Sequence, residues 1–314
     1  MRTYSYHLVD VFTSTPFGGN PLAVFPEAGP TPRHPELTDR EMQLIAAELN
    51  LSEITFVFPS HKPPARFYVR IFTPIRELPL AGHPVVGTHF VLAHLGRYPL
   101  REPVTHLHHE LKVGVLPVDL LVKSGKVEGV RMTQAPPQFL KKATDVPRLA
   151  SALGLRVEDI LTEPLPQVVS TGLPQLIVAV KSLEALRRME LVRPALRAIC
   201  DELDNDMAYL FALEGFDPNA KTHGRFASGH FDFEDPVTGS ASGAMAAYLV
   251  NYGLMPVVNG VAEWLHEQGH FMNRPGQVHV TVYGKAGAVE KVQVAGSSVY
   301  MGHGEIHLPD KVLE

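Results

Sequence analysis

Cysteine is nearly absent from this 314-residue chain, where Cys200 stands alone. That excludes an intramolecular disulfide and any metal site built on several thiolates. Long apolar runs are missing as well: no stretch of about 18 apolar residues occurs, so no transmembrane helix is expected. The N-terminal "MRTYSYHLVDVFTSTPFGG" alternates like a strand and lacks the apolar block of a signal peptide. Basic excess is absent too, since 28 Lys and Arg face 33 Asp and Glu for a formal net charge of -5. With no positive field to neutralise phosphates, a nucleic-acid partner is not expected. No Walker motif is present and no G-x-G-x-x-G follows a strand, so nucleotide binding finds no support. The expected setting is the cytoplasm, away from membranes.

What is present is material for burial: 45% of residues are hydrophobic and 19% charged, over a length that suits two domains. Segments 5–12, 22–25, 54–58 and 65–72 read as strands, each flanked by Pro, Gly or polar residues. "DREMQLIAAELN" (39–50) has helical apolar spacing and an acidic start, and reads as an amphipathic helix. The stretch 105–135 is again strand-like. "VPRLASALGL" and "SLEALRRMELVRPALRAICDEL" read as helices, and "QLIVAV", "MAYLFAL" and "VHVTVYG" as strands.

Two stretches repeat one another. "ELPLAGHPVVGTHFVLAHLG" begins at Glu77 and "EDPVTGSASGAMAAYLVNYG" at Glu234. Glu77 and Glu234, Pro79 and Pro236, Gly82 and Gly239, and Gly96 and Gly253 are each 157 positions apart. "GNPLAV" (Gly19–Val24) is echoed by "GLPQLIV" (Gly172–Val178) at an offset of 153. The chain therefore reads as two related halves with a common order: strand, amphipathic helix, strands, then a glycine-led helix. Both glycine-led helices are apolar or small around most of their circumference, so each is expected to be buried on nearly all sides. Pro84 suits the first turn of one, Ser240 the N-cap of the other, and Gly96 and Gly253 their C-terminal caps. Glycines before a buried N-terminus let an anion approach its orphan N–H groups.

Several residues invite a chemical reading beside a plainer one. Glu53 in "NLSEITFVF" is either a polar connection or a carboxylate whose pKa desolvation raises for proton transfer. His83 in "AGHP" is either a capping histidine or a ligand contact. Asp235 in "EDP" either complements the helix dipole or binds substrate. "HEQGH" (266–270) matches the zinc-protease pattern H-E-x-x-H, which needs both histidines on one helical face. Gly269 stands where a helix "VAEWLHEQ" would end, and throws His270 off that face. "HLHHE" (106–110) reads as an exposed strand, and "GSASG" (239–243) has Ala241 where a nucleophile elbow needs serine. No metal is expected.

With "FGGNPLAVF", "NLSEITFVF", "RIFTPIRELPLAGHPVVGTHF", "STGLPQLIV" and "EDPVTGSASGAMAAYL" in this order, the chain resembles the PhzF family of phenazine-biosynthesis-like isomerases. "EQG" followed by "RP" fits that pattern too. The resemblance implies an α+β fold of the diaminopimelate-epimerase-like type. Its mixed sheets form two pseudo-symmetric domains, each a curled sheet or barrel around a central buried helix, with the active site between them. The halves are expected at 1–122 and 123–295, with a C-terminal strand at about 296–314 crossing back to complete the first.

The resemblance further implies a cofactor-independent isomerase and a homodimer. It places the acid/base at Glu53, substrate-contacting residues at His83 and Asp235, and anion-binding positions at Gly82, Gly239 and Ser240. A small carboxylated substrate would dock on the second buried helix while Glu53 moves a proton from one carbon to another. Domain closure would exclude water and raise the Glu53 pKa. Related epimerases use a cysteine pair, which a single Cys200 excludes. An amino- or hydroxy-acid epimerase or racemase using Glu53 with Asp235 is the enzymatic alternative, and a catalytically silent binding protein the other. Gln175, Asn273 and the segment holding His230, Asp232 and Phe233 depart from the family pattern, which bears on substrate choice. A phenazine precursor is not implied.

Overall fold

The computed structural model describes residues 1–32, 34–230 and 232–310. In chain order its elements begin with β1 (Arg2–Val11), β2 (Asn20–Phe25), α1 (Asp39–Leu49), β3 (Ile54–Pro59), β4 (Phe67–Phe72) and β5 (Glu77–Leu78). Next come α2 (Gly82–His94), β6 (Val104–Leu111), β7 (Gly114–Lys123), β8 (Lys126–Thr133), β9 (Gln138–Lys142) and α3 (Val146–Leu153). Then follow β10 (Gln167–Ser170), β11 (Pro174–Ala179), α4 (Leu183–Arg188), α5 (Arg193–Glu202), β12 (Met207–Ala212) and β13 (Ala220–Ser228). The last are α6 (Gly239–Asn251), β14 (Val261–Gln268), β15 (Gly276–Lys285), β16 (Ala288–Gly296) and β17 (Ser298–Leu308). One unit comprises Met1–Met132 with the segment that begins at Ala295, and the other Thr133–Val294. No helix among the described residues is long and apolar enough to cross a membrane.

In the first unit β17 runs antiparallel to β1 from Arg2↔Leu308 to Val11↔Ser298. Residues 311–314, the end of the segment expected to form this strand, lie outside the described residues. From β1 the sheet continues through β2 (antiparallel), β3 (parallel), β4 (antiparallel), β6 (parallel) and β7 (antiparallel). Helix α1 covers one face, with Met42, Ile45 and Ala46 packed on Tyr4, Ala23, Phe25, Ile54 and Phe56. Its start is fixed by a capping box between Thr38 and Glu41, and its end by Asn50 in the left-handed region. Helix α2 fills the other face, with 11 of its 13 residues buried. A Cβ at Gly87 would sit 2.6 Å from Leu22 and 2.7 Å from Val11, so glycine there lets helix and strands touch.

The second unit repeats the polarity: β11 and β12 parallel, β12 and β13 antiparallel, β13 and β14 parallel, β14 and β15 antiparallel. Strands β9 and β10 extend it beyond β11. Helices α3, α4 and α5 cover the outside with Leu149, Leu153, Leu186, Leu196 and Cys200 against Leu176, Val178 and Leu210. Helix α6, again with 11 of 13 residues buried, packs on β10, β11, β12 and β15. Strands five places apart can meet one helix only if the sheet curls around it. The result is an α+β fold of mixed, curled sheets with few helices.

Both buried helices end alike. Arg97 N–H donates to Leu92 O and Gly96 N–H to Ala93 O; Leu254 N–H donates to Leu249 O and Gly253 N–H to Val250 O. These are Schellman closures, with φ +68° at Gly96 and +70° at Gly253. Two expectations need correction. "VAEWLHEQ" is not a helix but β14, whose burial favours Ala262, Trp264 and His266 while Glu263 is exposed. The N-cap of α6 is Thr238, and Ser240 lies one residue inside the helix start at Gly239.

Candidate active site

In the first unit, Asn50 turns the chain out of α1 with φ +49°, and three residues later Glu53 meets the start of β3. The following Ile54, Thr55 and Phe56 are buried, which pins Glu53 at the strand's mouth with its side chain 18% exposed. His83 follows Gly82 in the first turn of α2, and its Nε2 lies 3.5 Å from Glu53 Oε2. Asn20 Nδ2 donates to His83 Nδ1 at 3.2 Å, and Ser52 Oγ donates to Asn20 Oδ1 at 3.2 Å. Because Nδ1 accepts, a neutral His83 carries its proton on Nε2, facing Glu53. Burial pushes the His83 pKa down to about 3, so the pair is a neutral imidazole beside a carboxyl group rather than an ion pair. The order of donation is Ser52, Asn20, then His83, whose Nε2–H faces Glu53 across 3.5 Å. A contact of 3.5 Å becomes a hydrogen bond with a small shift.

In the second unit Asp235 and Thr238 lead into α6. Thr238 Oγ1 donates to Asp235 Oδ2 at 2.6 Å, so the N-cap side chain makes no capping bond to the helix. Ala81, the N-cap of α2, makes none either. Gly82 and Gly239 are the first helical residues, and His83 and Ser240 the second, so the 157-residue offset superposes the two helix starts in sequence. Gly239 O accepts from Gln134 Nε2 at 2.8 Å, and Ser240 O from Thr171 Oγ1 at 3.4 Å. Each helix start leaves first-turn N–H groups of the kind that bind anions.

The signature glutamates are clamps. Arg70 Nε and Nη2 reach Glu77 Oε1 and Oε2 at 2.8 and 2.9 Å, and Arg225 makes the same pair with Glu234 at 2.8 and 3.1 Å. Burial opposes ionisation of Glu77, yet Arg70 and Lys112 hold its pKa below the usual carboxylate range. The first pair ties β4 to the short strand β5 ahead of α2, and the second ties β13 to the loop ahead of α6.

The rival motifs resolve into structure. His266 is enclosed by Tyr209 OH at 2.6 Å and Thr222 Oγ1 at 2.8 Å. Glu267 accepts from the amides of Phe216 and Asp217. His270 sits in a short 3-10 turn, its Nδ1 3.1 Å from His223 Nε2. Among the described residues no group of three His, Cys, Asp or Glu is placed to hold a metal. In "HLHHE", His106 and His108 are exposed while His109 is buried. Cys200 lies in the outer core of α5, where burial pushes its thiol up to about 12. Of the departures, Gln175 is fully buried with Nε2 on Met207 Sδ, and Asn273 lines a recess with Arg187, Phe216, Arg225, His270 and Phe271. Sequence reasoning missed Asn20, Ser52, Thr238 and Gln268, whose hydrogen bonds hold the candidate residues His83 and Asp235. Their signals were an Asn inside the repeated "GNP/GLP" turn and the amide of "EQG".

A family model described as phenazine biosynthesis-like protein, PhzC-PhzF, matches residues 9–304. Trans-2,3-dihydro-3-hydroxyanthranilate isomerase of Pseudomonas aeruginosa is 32% identical over 97% of this chain and 100% of its own. An uncharacterized isomerase of Clostridium acetobutylicum is 31% identical over 98% of this chain and 99% of its own. The crystal structure of a Bacillus anthracis phenazine biosynthesis protein superposes with a TM-score of 0.87 at 31% identity, covering 98% of this chain and 100% of that one.

Proposed function

The chain belongs to the PhzF family of isomerases, and from that premise we propose that it shifts a double bond in a small carboxylated substrate by moving one proton, with Glu53 as the acid/base. The observation that carries this reading is the directed set Ser52, Asn20, His83 and Glu53. Glu53 takes a proton from a carbon next to a double bond, the electrons shift along the allylic system, and the same carboxyl group returns the proton at the far carbon. His83, kept neutral by burial, offers its Nε2–H to the carboxylate or to a substrate oxygen without adding charge. The substrate carboxylate is assigned to the first turn of α6, at Gly239 and Ser240, with Gly82 serving the matching turn of α2. Asp235 accepts from a substrate hydroxyl or amine. The relative's name supplies a first test compound, trans-2,3-dihydro-3-hydroxyanthranilate, which carries a carboxylate, an amine and a hydroxyl. The reading requires no added cofactor and includes a homodimer, which sedimentation equilibrium checks.

Proton NMR of that compound with the protein in deuterium oxide tests the reaction class. A new double-bond position, with deuterium well below full incorporation, is the expected result. Deuterium at a stereocentre without a bond shift would instead mark an epimerase, and an unchanged spectrum would remove this substrate class.

A further inference from the structure

We propose that Gln268, with Tyr209 and His266 behind it, is a set of positioning residues that hold Asp235 and the first turn of α6 through one chain of hydrogen bonds donated in a single direction. The proposal rests on the reading of Asp235 as a substrate contact. All its members lie in the unit Thr133–Val294.

Groups of fixed polarity determine the order at both ends. Trp264 Nε1–H, which can only donate, reaches Thr222 Oγ1 at 2.9 Å. At the other end the Thr238 N–H, also only a donor, reaches Gln268 Oε1 at 2.9 Å. The Gln268 amide therefore has its oxygen toward Thr238 and its nitrogen toward Asp235 O, at 2.7 Å. Tyr209 OH lies 2.8 Å from the same Gln268 oxygen, so its one proton is committed there. His266 Nε2, 2.6 Å from the Tyr209 oxygen, must then be the donor of that pair. Full burial keeps the ring neutral, so His266 Nδ1 is unprotonated and accepts from Thr222 Oγ1 at 2.8 Å. The chain runs Trp264, Thr222, His266, Tyr209, Gln268, Asp235, and Thr238 completes it by donating to the Asp235 carboxylate at 2.6 Å.

Burial makes the order persistent. Thr222, Tyr209 and His266 are fully buried and Gln268 is 1% exposed, so water does not compete for these groups. The glycine at 224 belongs to the same design. A Cβ there would stand 2.1 Å from the Tyr209 hydroxyl, so a side chain at 224 would take the hydroxyl's place. Gln268 Nε2 donates to the Asp235 main-chain carbonyl and, at 3.2 Å, to Thr238 Oγ1. Thr238 Oγ1 in turn donates to the Asp235 carboxylate, so three strands, β12, β13 and β14, stand behind one carboxylate. Such a chain restricts Asp235 to one orientation, and displacing a reacting geometry by about 1 Å costs about 100-fold in rate.

Two measurements test this. Nitrogen-15 histidine spectra of the free protein should show His266 as the Nε2–H tautomer from pH 8 to pH 6.5, where the fold is intact. The Nδ1–H tautomer would reverse the chain and overturn the proposal. With trans-2,3-dihydro-3-hydroxyanthranilate as assay compound, Tyr209→Phe and Gly224→Ala should each lower kcat by about 10- to 100-fold with KM little changed and a cooperative urea transition retained. Asp235→Asn marks the loss expected if Asp235 is removed altogether. Wild-type kcat in a folded Tyr209→Phe or Gly224→Ala protein, beside an impaired Asp235→Asn protein, would reduce the chain to a structural feature and overturn its positioning role. A wild-type protein inert toward this compound, or a fully active Asp235→Asn protein, would strike the functional reading of Asp235, and the tautomer would then decide the chain alone.

Discussion

Lowering the pH from 7.5 to 5.5 should remove most of the protein's stability, long before its carboxylates titrate. Five histidines, His83, His89, His109, His223 and His266, are at most 3% exposed. Burial pushes His83 and His266 down to about 3, His109 to about 4 and His223 to about 2, and holds His89 well below its ordinary value. In the unfolded chain each titrates near 6.5. Below that pH the unfolded state binds protons that the folded state refuses, so stability is full above pH 6.5 and is lost as the pH falls toward the folded values. One unit below 6.5, each group costs about 1.4 kcal/mol, and five together cost about 7 kcal/mol. Typical domains have only about 5–15 kcal/mol to lose. Urea unfolding followed by circular dichroism at several pH values reads this directly. The midpoint should be constant from pH 8 to 7 and fall steeply below 6.5. His89→Gln should flatten that slope by about 1.4 kcal/mol per pH unit. An unchanged midpoint between pH 7.5 and 5.5 would refute the assignment of these rings as buried and neutral.

Other expectations are more local. Gly87→Leu should cost about 1–3 kcal/mol by overpacking α2 against Val11 and Leu22, read as a lower urea midpoint. Thr38→Ala breaks the capping box of α1 and should cost about 1 kcal/mol in the same assay. Cys200, buried with its thiol pushed up to about 12, should resist a thiol reagent in the native protein and react at once in denaturant. Rapid native labelling would contradict its core position. Glu234→Gln removes half the charge pairing of the Arg225 clamp and should weaken binding of a carboxylate probe more than it lowers the unfolding midpoint; a change confined to stability would make the clamp purely structural.

The repeat was legible because its punctuation is chemically demanding. Gly96 and Gly253 occupy left-handed backbone at both helix ends, and the uniformly apolar helices between them advertise burial on all sides. Most strand segments were equally plain from alternation and flanking turns. Segment 261–268 misled because Val261, Ala262, Trp264 and Leu265 also fit helical spacing. Pairing with β13 on one side and β15 on the other overrides that local pattern. Thr238 takes the N-cap ahead of Ser240 because its hydroxyl is held by Asp235 and its N–H by Gln268. The chain from Trp264 to Asp235 was not legible, since its members come from β12, β13, β14 and the loop before α6, and no local spacing relates them. "HEQGH" attracted notice as a metal motif, whereas its His266 is committed to hydroxyl partners and its Glu267 to backbone amides.

The central claim is that Glu53 moves the proton. Its most direct test is the turnover of trans-2,3-dihydro-3-hydroxyanthranilate by wild-type and Glu53→Gln proteins of equal urea midpoint. Glu53→Gln keeps the shape of the side chain and removes its acid/base capacity, so kcat should fall by about 10²- to 10⁴-fold. A Glu53→Gln protein that turns over at the wild-type rate would contradict the account.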